Sequence, residues 1–395
     1  MKPLAIALAA LLFFGILTIW VPELWAWSAV QCGIFLIAAL RLLERDPIEL
    51  RIIYLPLTMA GVWPMLQVAT GHTLARPETW MAVLTWETFL VIFLLACELL
   101  TEAKALIWFL KIVSLGGSLL AVLSIAQDYS SPGKIFWIFP SGYAADVLGP
   151  FVNRNQFAAW LELLVPVTLY LAVTDRRFVV LYGTGAAIMI SSVIASGSRA
   201  GSFLVVAESV GVMLLFIARN NFPRKAMVIR SVQLAGLASI AIAVVGSETL
   251  RTRLESFGPE PLRMDALKAS MQMTADHPWL GIGLGAWSTV YPRYATIDTG
   301  VFMNQAHNDW IQWAAEGGIP FVLLLAILAT MLWKPAFRSI YGLGIISFLA
   351  HAFLDYPMQQ RPVLACWFFA IAGATVAESS LRSRVTGSIP GQRTF

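Results

Sequence analysis

The sequence has little charge. Asp, Glu, Lys and Arg together make up 13% of its 395 residues, which is about half of their share in ordinary soluble domains. Hydrophobic residues make up 58%, and the mean hydropathy is +0.73. This composition excludes a soluble protein and indicates an integral membrane protein. The net charge of +4 is too small to indicate a nucleic-acid partner.

Cysteine is also scarce. Cys32, Cys97 and Cys366 each lie inside an apolar run, without the spacing of a disulfide framework or a zinc site. We expect all three in the cores of helices and predict neither a metal site nor a cofactor.

Long apolar runs recur along the chain. A helix needs about 20 apolar residues to cross a bilayer, and we count about 12 such runs. None alternates apolar and polar residues as the strands of a membrane β-barrel do. The first run begins at Lys2 and is followed at once by a second, so we expect a retained helix and not a signal peptide. The predicted spans are 4–20, 25–43, 52–69, 79–100, 104–125, 156–174, 178–196, 202–218, 228–246, 310–333, 339–356 and 362–378.

The distribution of Lys and Arg sets the orientation. Most of the 27 basic residues lie in segments on the same side as the N-terminus, which predicts that both termini are cytoplasmic. Most of the others lie in three outer segments, 127–155, 197–201 and 247–309. Arg199 is notable because the nearest acidic residue in the sequence is Glu208. A guanidinium held near a membrane without a neighbouring carboxylate indicates an anionic ligand.

The outer segment 247–309 is the longest connection, and loops of such length are usually functional. Within it, Leu262, Ala266, Ala269 and Met273 recur at helical spacing. They predict an amphipathic helix over 261–276, lying on the membrane surface. Arg263 of this helix points either to a binding site or to lipid headgroups.

A glycine-rich stretch, His277 to Gly285, follows this helix. It lacks the preceding strand and the Gly-Lys-Ser/Thr ending of a phosphate-binding loop. We expect its alternating glycines to allow a close approach to a neighbouring helix or a ligand. His277 is expected to end the preceding helix.

The strongest cluster of polar residues opens the tenth predicted span. Asp309, Gln312 and Glu316 share one helical face, which should point into the bundle or a wet cavity. Asn308 can cap the helix and leave His307 at the outer boundary. His307 beside the Asp309 carboxylate suits a general base. The alternative is a histidine whose bonds are satisfied by backbone at a helix start.

Titratable residues also lie in the eleventh predicted span. His351 and Asp355 stand four residues apart in the eleventh span and can form a buried pair. No Asp-x-Asp or Glu-x-Asp element lies in the predicted outer segments, which argues against a divalent metal as the catalyst.

Four motifs in order resemble those of the O-antigen ligase and O-antigen polymerase family. They are residues 149–158, which include Asn153, Arg154 and Asn155; residues 196–201, around Arg199; residues 277–285; and residues 307–318. The resemblance covers about residues 130 to 375 and includes the layout of about 12 spans.

The resemblance implies a glycosyltransferase of the membrane-embedded GT-C-like kind, without metal or cofactor. It implies an undecaprenyl-diphosphate-linked glycan as the donor, a lipid A-core sugar as the acceptor, and an active site facing the periplasm of the bacterial inner membrane. In the matching motifs, the family's essential histidine corresponds to His307. The family's two arginines that face the diphosphate correspond to Arg199 and Arg263. The remaining candidates for substrate binding are Asn153, Arg154, Asn155, Asp309, Gln312 and Glu316.

This interpretation divides the chain into N-terminal helices (1–125), a catalytic membrane domain (126–378) and a cytoplasmic tail (379–395). A polysaccharide polymerase or a protein O-oligosaccharyltransferase of the same family would use the same reacting groups. The compact outer segments favour the ligase. A transporter or flippase is the alternative from another class, but the two halves show no internal repeat.

Overall fold

The computed structural model describes residues 2–44, 47–142, 147–219, 236, 261–297, 300, 302–359 and 362–387. Its regular elements are α1 (Lys2–Leu17), α2 (Leu24–Leu43), α3 (Tyr54–Ala69), α4 (Arg76–Leu99), α5 (Ala103–Ser130), β1 (Lys134–Ile135), β2 (Phe139–Pro140), α6 (Arg154–Thr174), α7 (Val179–Ala195), α8 (Arg199–Ala218), α9 (Pro261–Asp276), α10 (Trp287–Val290), a 3₁₀ turn (Tyr291–Arg293), α11 (Asp309–Ser339), α12 (Leu343–His351) and α13 (Val363–Gly387). The two strands form one antiparallel hairpin, so within these residues the fold is almost wholly helical.

Seven helices in this part of the chain are long and apolar enough to cross a membrane: α2, α4, α5, α6, α8, α11 and α13. They confirm a multi-pass, helical membrane protein. Helices α1 and α7 are shorter apolar helices, and α3 has 16 residues. The span predicted at 228–246 lies outside the described residues.

The span predicted at 339–356 is helical only in part. Helix α12 has nine residues, about 14 Å at 1.5 Å per residue, which is less than a bilayer core requires. It is short because Ile340 has φ of 69° before it, and a turn follows it in which Leu354 and Asp355 both donate to the carbonyl of His351. Helix α13 in turn continues to Gly387, beyond the predicted end at 378.

Helices α6 and α13 form the centre of the bundle. In each of them, 89% of the most apolar 18-residue stretch is buried. Trp160 of α6 meets Trp367 of α13 edge to face, with ring centroids 5.6 Å apart. Cys97 and Cys366 are buried in helices as expected, whereas Cys32 is exposed on α2. The apolar run around Cys32 therefore turns this side chain outward, as suits a helix with lipid on one side.

Three helices begin at an N-cap side chain that accepts a hydrogen bond from the first turn. Asn153 accepts from the Asn155 amide at 2.8 Å, Ser198 from the Gly201 amide at 3.3 Å, and Asn308 from the Ile311 amide at 3.0 Å. Because a cap fixes the first residue of a helix, it sets where Arg154, Arg199 and Asp309 leave the backbone.

The beginnings of these helices meet at one end of the bundle. The Asp309 amide donates to the Ala352 carbonyl at 2.9 Å, and the Leu74 amide donates to the Ile282 carbonyl at 2.8 Å. Gly201 packs so close to Ala158 that an added Cβ would lie 2.5 Å from that residue's Cβ. We call this the site end; it is formed by the α3–α4, α5–α6, α7–α8, α9–α11 and α12–α13 connections.

Candidate functional site

His307 lies at the site end, two residues before α11. Its φ is 56°, a left-handed conformation that is uncommon for residues other than glycine. Such backbone persists where the surroundings fix it, often at functional sites. Here Asn308 supplies that fixation, since it caps α11 and its Nδ2 also donates to the Phe353 carbonyl at 2.8 Å. The imidazole side chain is 23% exposed, so one part of the ring is open to a ligand.

The carboxylate next to His307 is that of Asp355. Its Oδ1 lies 3.4 Å from His307 Nδ1, and its Oδ2 accepts a hydrogen bond of 2.5 Å from Asn155 Nδ2. The sequence predicted Asp309 as the carboxylate beside this histidine. That expectation was wrong, because the helix cap turns His307 away from α11 and towards the α12–α13 connection.

Asp355 is buried, and the groups around it lower the pKa of its carboxyl. Burial by itself raises the pKa of its carboxyl, but the contact with His307 and the charges of His351 and Arg263 lower the pKa by more. The resulting pKa lies below the ordinary value of an aspartate. A carboxylate 3.4 Å from Nδ1 favours the imidazole tautomer that carries its proton on that nitrogen, with Nε2 as the proton acceptor.

The ring of His307 is also held from a second side. It meets the ring of Tyr356 edge to face, with centroids 4.6 Å apart and planes at 87°. The Tyr356 hydroxyl accepts a hydrogen bond of 3.2 Å from Asn153 Nδ2. Asn153 and Asn155 therefore connect the start of α6 to the two residues that orient the histidine. Sequence reasoning had not found Tyr356.

The polar face of α11 points into the protein, as its spacing predicted. Asp309, Gln312 and Glu316 are 0%, 2% and 1% exposed. Asp309 Oδ2 accepts from the Met358 amide at 2.9 Å, and Gln312 Oε1 accepts from the Ala306 amide at 2.9 Å. Glu316 Oε1 accepts from the Trp287 amide and from Gln312 Nε2, each at 3.1 Å. The three side chains join α11 to the segments that surround His307.

The three arginines that the sequence predicted for the site lie at the site end. Arg199 is the first residue of α8 and is exposed, whereas Arg154, the first residue of α6, is partly buried. Arg263 lies in the first turn of α9, is partly buried, and its charge acts on Asp355. Of its two predicted orientations, this proximity favours the one towards the site.

Helix α9 occupies the range predicted for the amphipathic helix, but its apolar side packs on protein. Ala266, Ala269 and Met273 are buried in a small second core together with Trp287 and Tyr291. The apolar face that was expected to contact the membrane is covered by α10 and the 3₁₀ turn. The outer segment thus has a folded part of its own; its residues 247–260 lie outside the described residues.

The glycine-rich segment packs on the start of α11, as the glycines predicted. Gly281 has φ of 68°, and an added Cβ there would lie 2.2 Å from the Glu316 carbonyl oxygen. Gly318 has φ and ψ of 79° and 173°, which kinks α11, and an added Cβ there would lie 2.5 Å from the Trp279 carbonyl oxygen. His277 follows the last residue of α9, as expected of a helix end, and its carbonyl accepts from the Gly281 amide at 3.0 Å.

Gln67 of α3 connects the N-terminal helices to this region. Its Nε2 donates to the carbonyls of Leu280 and Glu316, at 2.5 and 2.8 Å, and its Oε1 accepts from the Leu284 amide at 3.0 Å. No local pattern predicted this role, since a single glutamine near a helix end has many uses.

His351 does not pair with Asp355. Its Nδ1 lies 2.8 Å from Glu162 Oε1 of α6, and both side chains are fully buried. The four-residue spacing predicted a His351–Asp355 pair, but α12 ends at His351, so Asp355 lies beyond the last helical turn. His72 is exposed in the α3–α4 turn, as expected of a surface residue.

Within the described residues, no three His, Cys, Asp or Glu side chains form a group that could hold a metal ion. No protein with a curated description matches the chain. Residues 184–327 match the family model described as O-antigen ligase, a range that contains Arg199, Arg263 and His307. Asn153, Asn155 and Asp355 lie outside this range and join the site through the fold. The match includes the motifs at 196–201, 277–285 and 307–318, and it confirms that this part of the chain resembles the O-antigen ligase family.

Proposed function

We propose that the protein is an O-antigen ligase of the bacterial inner membrane, with both termini cytoplasmic and the site end facing the periplasm. It transfers a glycan from undecaprenyl diphosphate to a sugar hydroxyl of lipid A-core. The observation that carries this proposal is the contact of His307 with the buried Asp355 anion, in a chain that matches the family. A GT-C-like architecture is part of the same proposal.

His307 serves as the general base. With its proton held at Nδ1 by Asp355, Nε2 accepts the proton of the acceptor hydroxyl. The hydroxyl oxygen then forms a bond with the anomeric carbon of the donor as the bond from that carbon to the diphosphate oxygen breaks. Undecaprenyl diphosphate leaves, and His307 returns its proton to solvent. A single displacement of this kind inverts the anomeric centre.

The leaving group gains negative charge as its bond to the sugar breaks. Arg199 and Arg263 neutralise that charge, because guanidinium groups are permanently charged and donate two hydrogen bonds to one phosphate. Preorganised donors of this type are often the largest contribution to catalysis. The exposure of Arg199 and the partial burial of Arg263 suit a ligand that approaches between them.

The remaining predicted site residues have supporting roles in this proposal. Asn153, Arg154 and Asn155 line the approach to His307, and Asn155 also orients Asp355. Asp309, Gln312 and Glu316 were expected to bind substrate. Their burial and backbone contacts favour holding the site's segments in place instead.

The experiment supplies the purified protein with undecaprenyl-diphosphate glycan and, in separate reactions, lipid A-core, a second donor molecule or an acceptor protein. Product with lipid A-core supports the ligase. Product with a second donor or with a protein indicates the polymerase or the oligosaccharyltransferase of the same family instead.

His307→Ala is expected to abolish transfer at an unchanged protein level. His72→Ala, at an exposed histidine of the same end, is the matched control and should retain activity. Full activity of His307→Ala would exclude a base at this position. Ion-coupled uptake that persists in this variant would favour a transporter.

A further inference from the structure

The β1–β2 hairpin in the α5–α6 connection has a strained tip. A hydrogen bond of 3.1 Å from the Ile138 amide to the Ile135 carbonyl closes its two-residue turn. Both turn residues have positive φ, 49° at Phe136 and 65° at Trp137. Such turns usually carry asparagine and glycine, because large side chains are strained in a left-handed backbone. Strain that persists at an exposed tip indicates a function for the side chains placed there.

The tip directs large apolar side chains outward. Phe136 is partly buried and packs against the main core. Trp137, Ile138 and Phe139 are exposed, and Ile138 is 70% exposed. Exposed apolar side chains that stand together usually mark a contact surface.

The hairpin is attached to the ends of two helices. Trp137 Nε1 donates a hydrogen bond of 2.6 Å to the hydroxyl of Ser130, the last residue of α5. The ring of Phe139 lies 4.7 Å from that of Trp20, in the turn that follows α1. The depth of the tip in the membrane therefore depends on where these helices leave the membrane.

Helix α5 indicates where it leaves the membrane. Leu115, Leu119 and Val122 are exposed on it, at the three- and four-residue steps of one face. Trp108 and Tyr129 lie towards the two ends of this face, and each is 59% exposed. The helix between them is about 32 Å long at 1.5 Å per residue, close to the thickness of a bilayer core of about 30 Å. Tryptophan and tyrosine are enriched at both interfaces of a membrane.

The charges on α5 agree with these boundaries. Between the two aromatic side chains, charged residues occur only within one turn of either end, at Lys111 and Asp128. Tyr129 therefore marks the membrane interface at the site end. The next residue, Ser130, holds Trp137, so the hairpin tip lies at the same interface.

We propose that the β1–β2 hairpin is a membrane anchor, in which Trp137, Ile138 and Phe139 insert between the acyl chains and the headgroups of phospholipids at the site end. Lipid fits this tip better than a glycan, because Ile138 offers a sugar neither a ring to stack on nor a hydrogen bond. Lys134, exposed at the start of β1, supplies a positive charge for lipid phosphates. Removal of the three apolar side chains from water offsets the strain of the turn.

The anchor also positions the start of α6. Gln127 of α5 is fully buried, and its Nε2 donates to the Ser131 carbonyl at 3.3 Å, just before the hairpin. Its Oε1 accepts from the Gly149 amide at 2.7 Å, in the segment that leads to Asn153. One side chain thus joins the base of the hairpin to that segment, and the anchor holds the segment near the headgroups. This role does not depend on the proposed function.

The test measures the depth of the tip in vesicles of phosphatidylethanolamine and phosphatidylglycerol. A nitroxide is attached to Ile138→Cys after Cys32→Ser has removed the exposed native cysteine. Power saturation in electron paramagnetic resonance compares the access of oxygen, which concentrates among acyl chains, with that of a water-soluble nickel chelate. We expect oxygen access to exceed nickel access, as for a label at Leu119→Cys on the exposed face of α5. A label at His72→Cys, in the exposed α3–α4 turn, is the aqueous control and should show the reverse.

Nickel access at position 138 equal to that of the aqueous control would overturn the proposal. Protection of this label by added oligosaccharide would assign the tip to a glycan instead. Low access to both reagents would place the tip against protein, which is also incompatible with an anchor in lipid.

Trp137→Gly in the labelled protein is the second variant. Glycine adopts positive φ without strain, so the hairpin should keep its shape while it loses its largest anchoring side chain. Nickel access at position 138 should rise at least about twofold, because an interfacial tryptophan no longer holds the tip. Trp137→Tyr keeps an amphipathic ring and should leave this access near the value of the parent protein. Equal access in the parent protein and in Trp137→Gly would refute the anchoring role of Trp137.

Discussion

Asn155 and Asp355 share a hydrogen bond of 2.5 Å although 200 residues of sequence separate them. Asn155 lies in the first turn of α6, and Asp355 lies in the turn after α12, beside His307. The amide donates to one carboxylate oxygen and leaves the other, Oδ1, directed at Nδ1 of the histidine. Two distant motifs thus meet at one carboxylate.

Replacing Asp355 by asparagine keeps the shape of the side chain but removes the charge that holds the His307 proton at Nδ1. We expect the kcat of transfer to fall by about 100-fold or more, the scale of a lost general base. The donor KM should change little, because no proposed donor contact is removed. Initial rates over a range of donor concentrations separate the two constants.

Asn155→Ala tests the same relationship from the other side. It leaves the carboxylate charged but free to rotate, so a smaller loss, about tenfold in kcat, is expected for a lost charged hydrogen bond. A larger loss from Asn155→Ala than from Asp355→Asn would contradict a role for Asn155 through Asp355.

We expect that transfer requires the guanidinium of Arg263 and not merely a positive charge at this position. Arg263→Ala should lower kcat/KM by about 100- to 1000-fold, as the loss of one preorganised donor does. Arg263→Lys should recover only part of this, since an ammonium cannot donate two parallel hydrogen bonds to a phosphate. Lys268→Ala, at an exposed position of the same helix, is the control.

Equal losses from Lys268→Ala and Arg263→Ala would indicate a general effect of surface charge. The same pair of variants measured at low and high salt distinguishes the two explanations, because only exposed charges are strongly screened.

Much of this fold could be predicted from the sequence because hydrophobic runs and helix caps are local signals. The positions of α4, α6 and α8, the cap at Asn308 and the packing role of the glycines all followed from neighbouring residues. The partner of His307 did not, since Asp355 reaches it only through the packing of α6, α11 and α12. A four-residue spacing predicted a His351–Asp355 pair, but the end of α12 at His351 removed the helix on which that spacing depended.

The second core of the outer segment could not be predicted from the sequence, for a related reason. The periodicity of 261–276 indicates an apolar face but not what covers it. Membrane and protein are equally suitable surfaces for such a face, and here the cover is Trp287 and Tyr291.

A methyl group at Gly281 should destabilise the junction between the outer segment and α11. Gly281→Ala would place a Cβ 2.2 Å from the Glu316 carbonyl oxygen at φ of 68°. We expect a loss of more than about 2 kcal/mol in the free energy of unfolding, from strain and displaced backbone. Thermal unfolding in detergent, followed by tryptophan fluorescence, measures it.

Gly183→Ala is the matched control for this substitution. Gly183 lies in α7 with no heavy atom within 4 Å of an added Cβ, so alanine there should be neutral or stabilise the helix by up to about 1 kcal/mol. An equal loss at both positions would mean that the close approach at Gly281 contributes nothing specific.

Asp265 should make the outer segment sensitive to acid. Its Oδ2 accepts from the Tyr291 hydroxyl at 2.6 Å, and its Oδ1 accepts from the Thr296 amide at 3.1 Å. Burial raises the pKa of this carboxyl, but the hydrogen bonds from Thr296 and Tyr291 and the charge of Lys268 lower it by a larger amount. The resulting pKa lies below the ordinary value of an aspartate. A carboxyl with a lowered pKa stabilises the folded state at all pH values above its unfolded pKa of about 3.9.

That stabilisation is lost as the pH falls through the lowered folded-state pKa, because both states then carry the proton. Wild type should therefore unfold at a higher temperature than Asp265→Asn at pH 7, and the difference should shrink towards zero in acid. Asp276→Asn, at an exposed aspartate that ends the same helix, should show a much smaller difference at either pH. Unfolding temperatures of the three proteins from pH 7 downward test this, and a difference between wild type and Asp265→Asn that is independent of pH would show that the carboxylate charge contributes nothing.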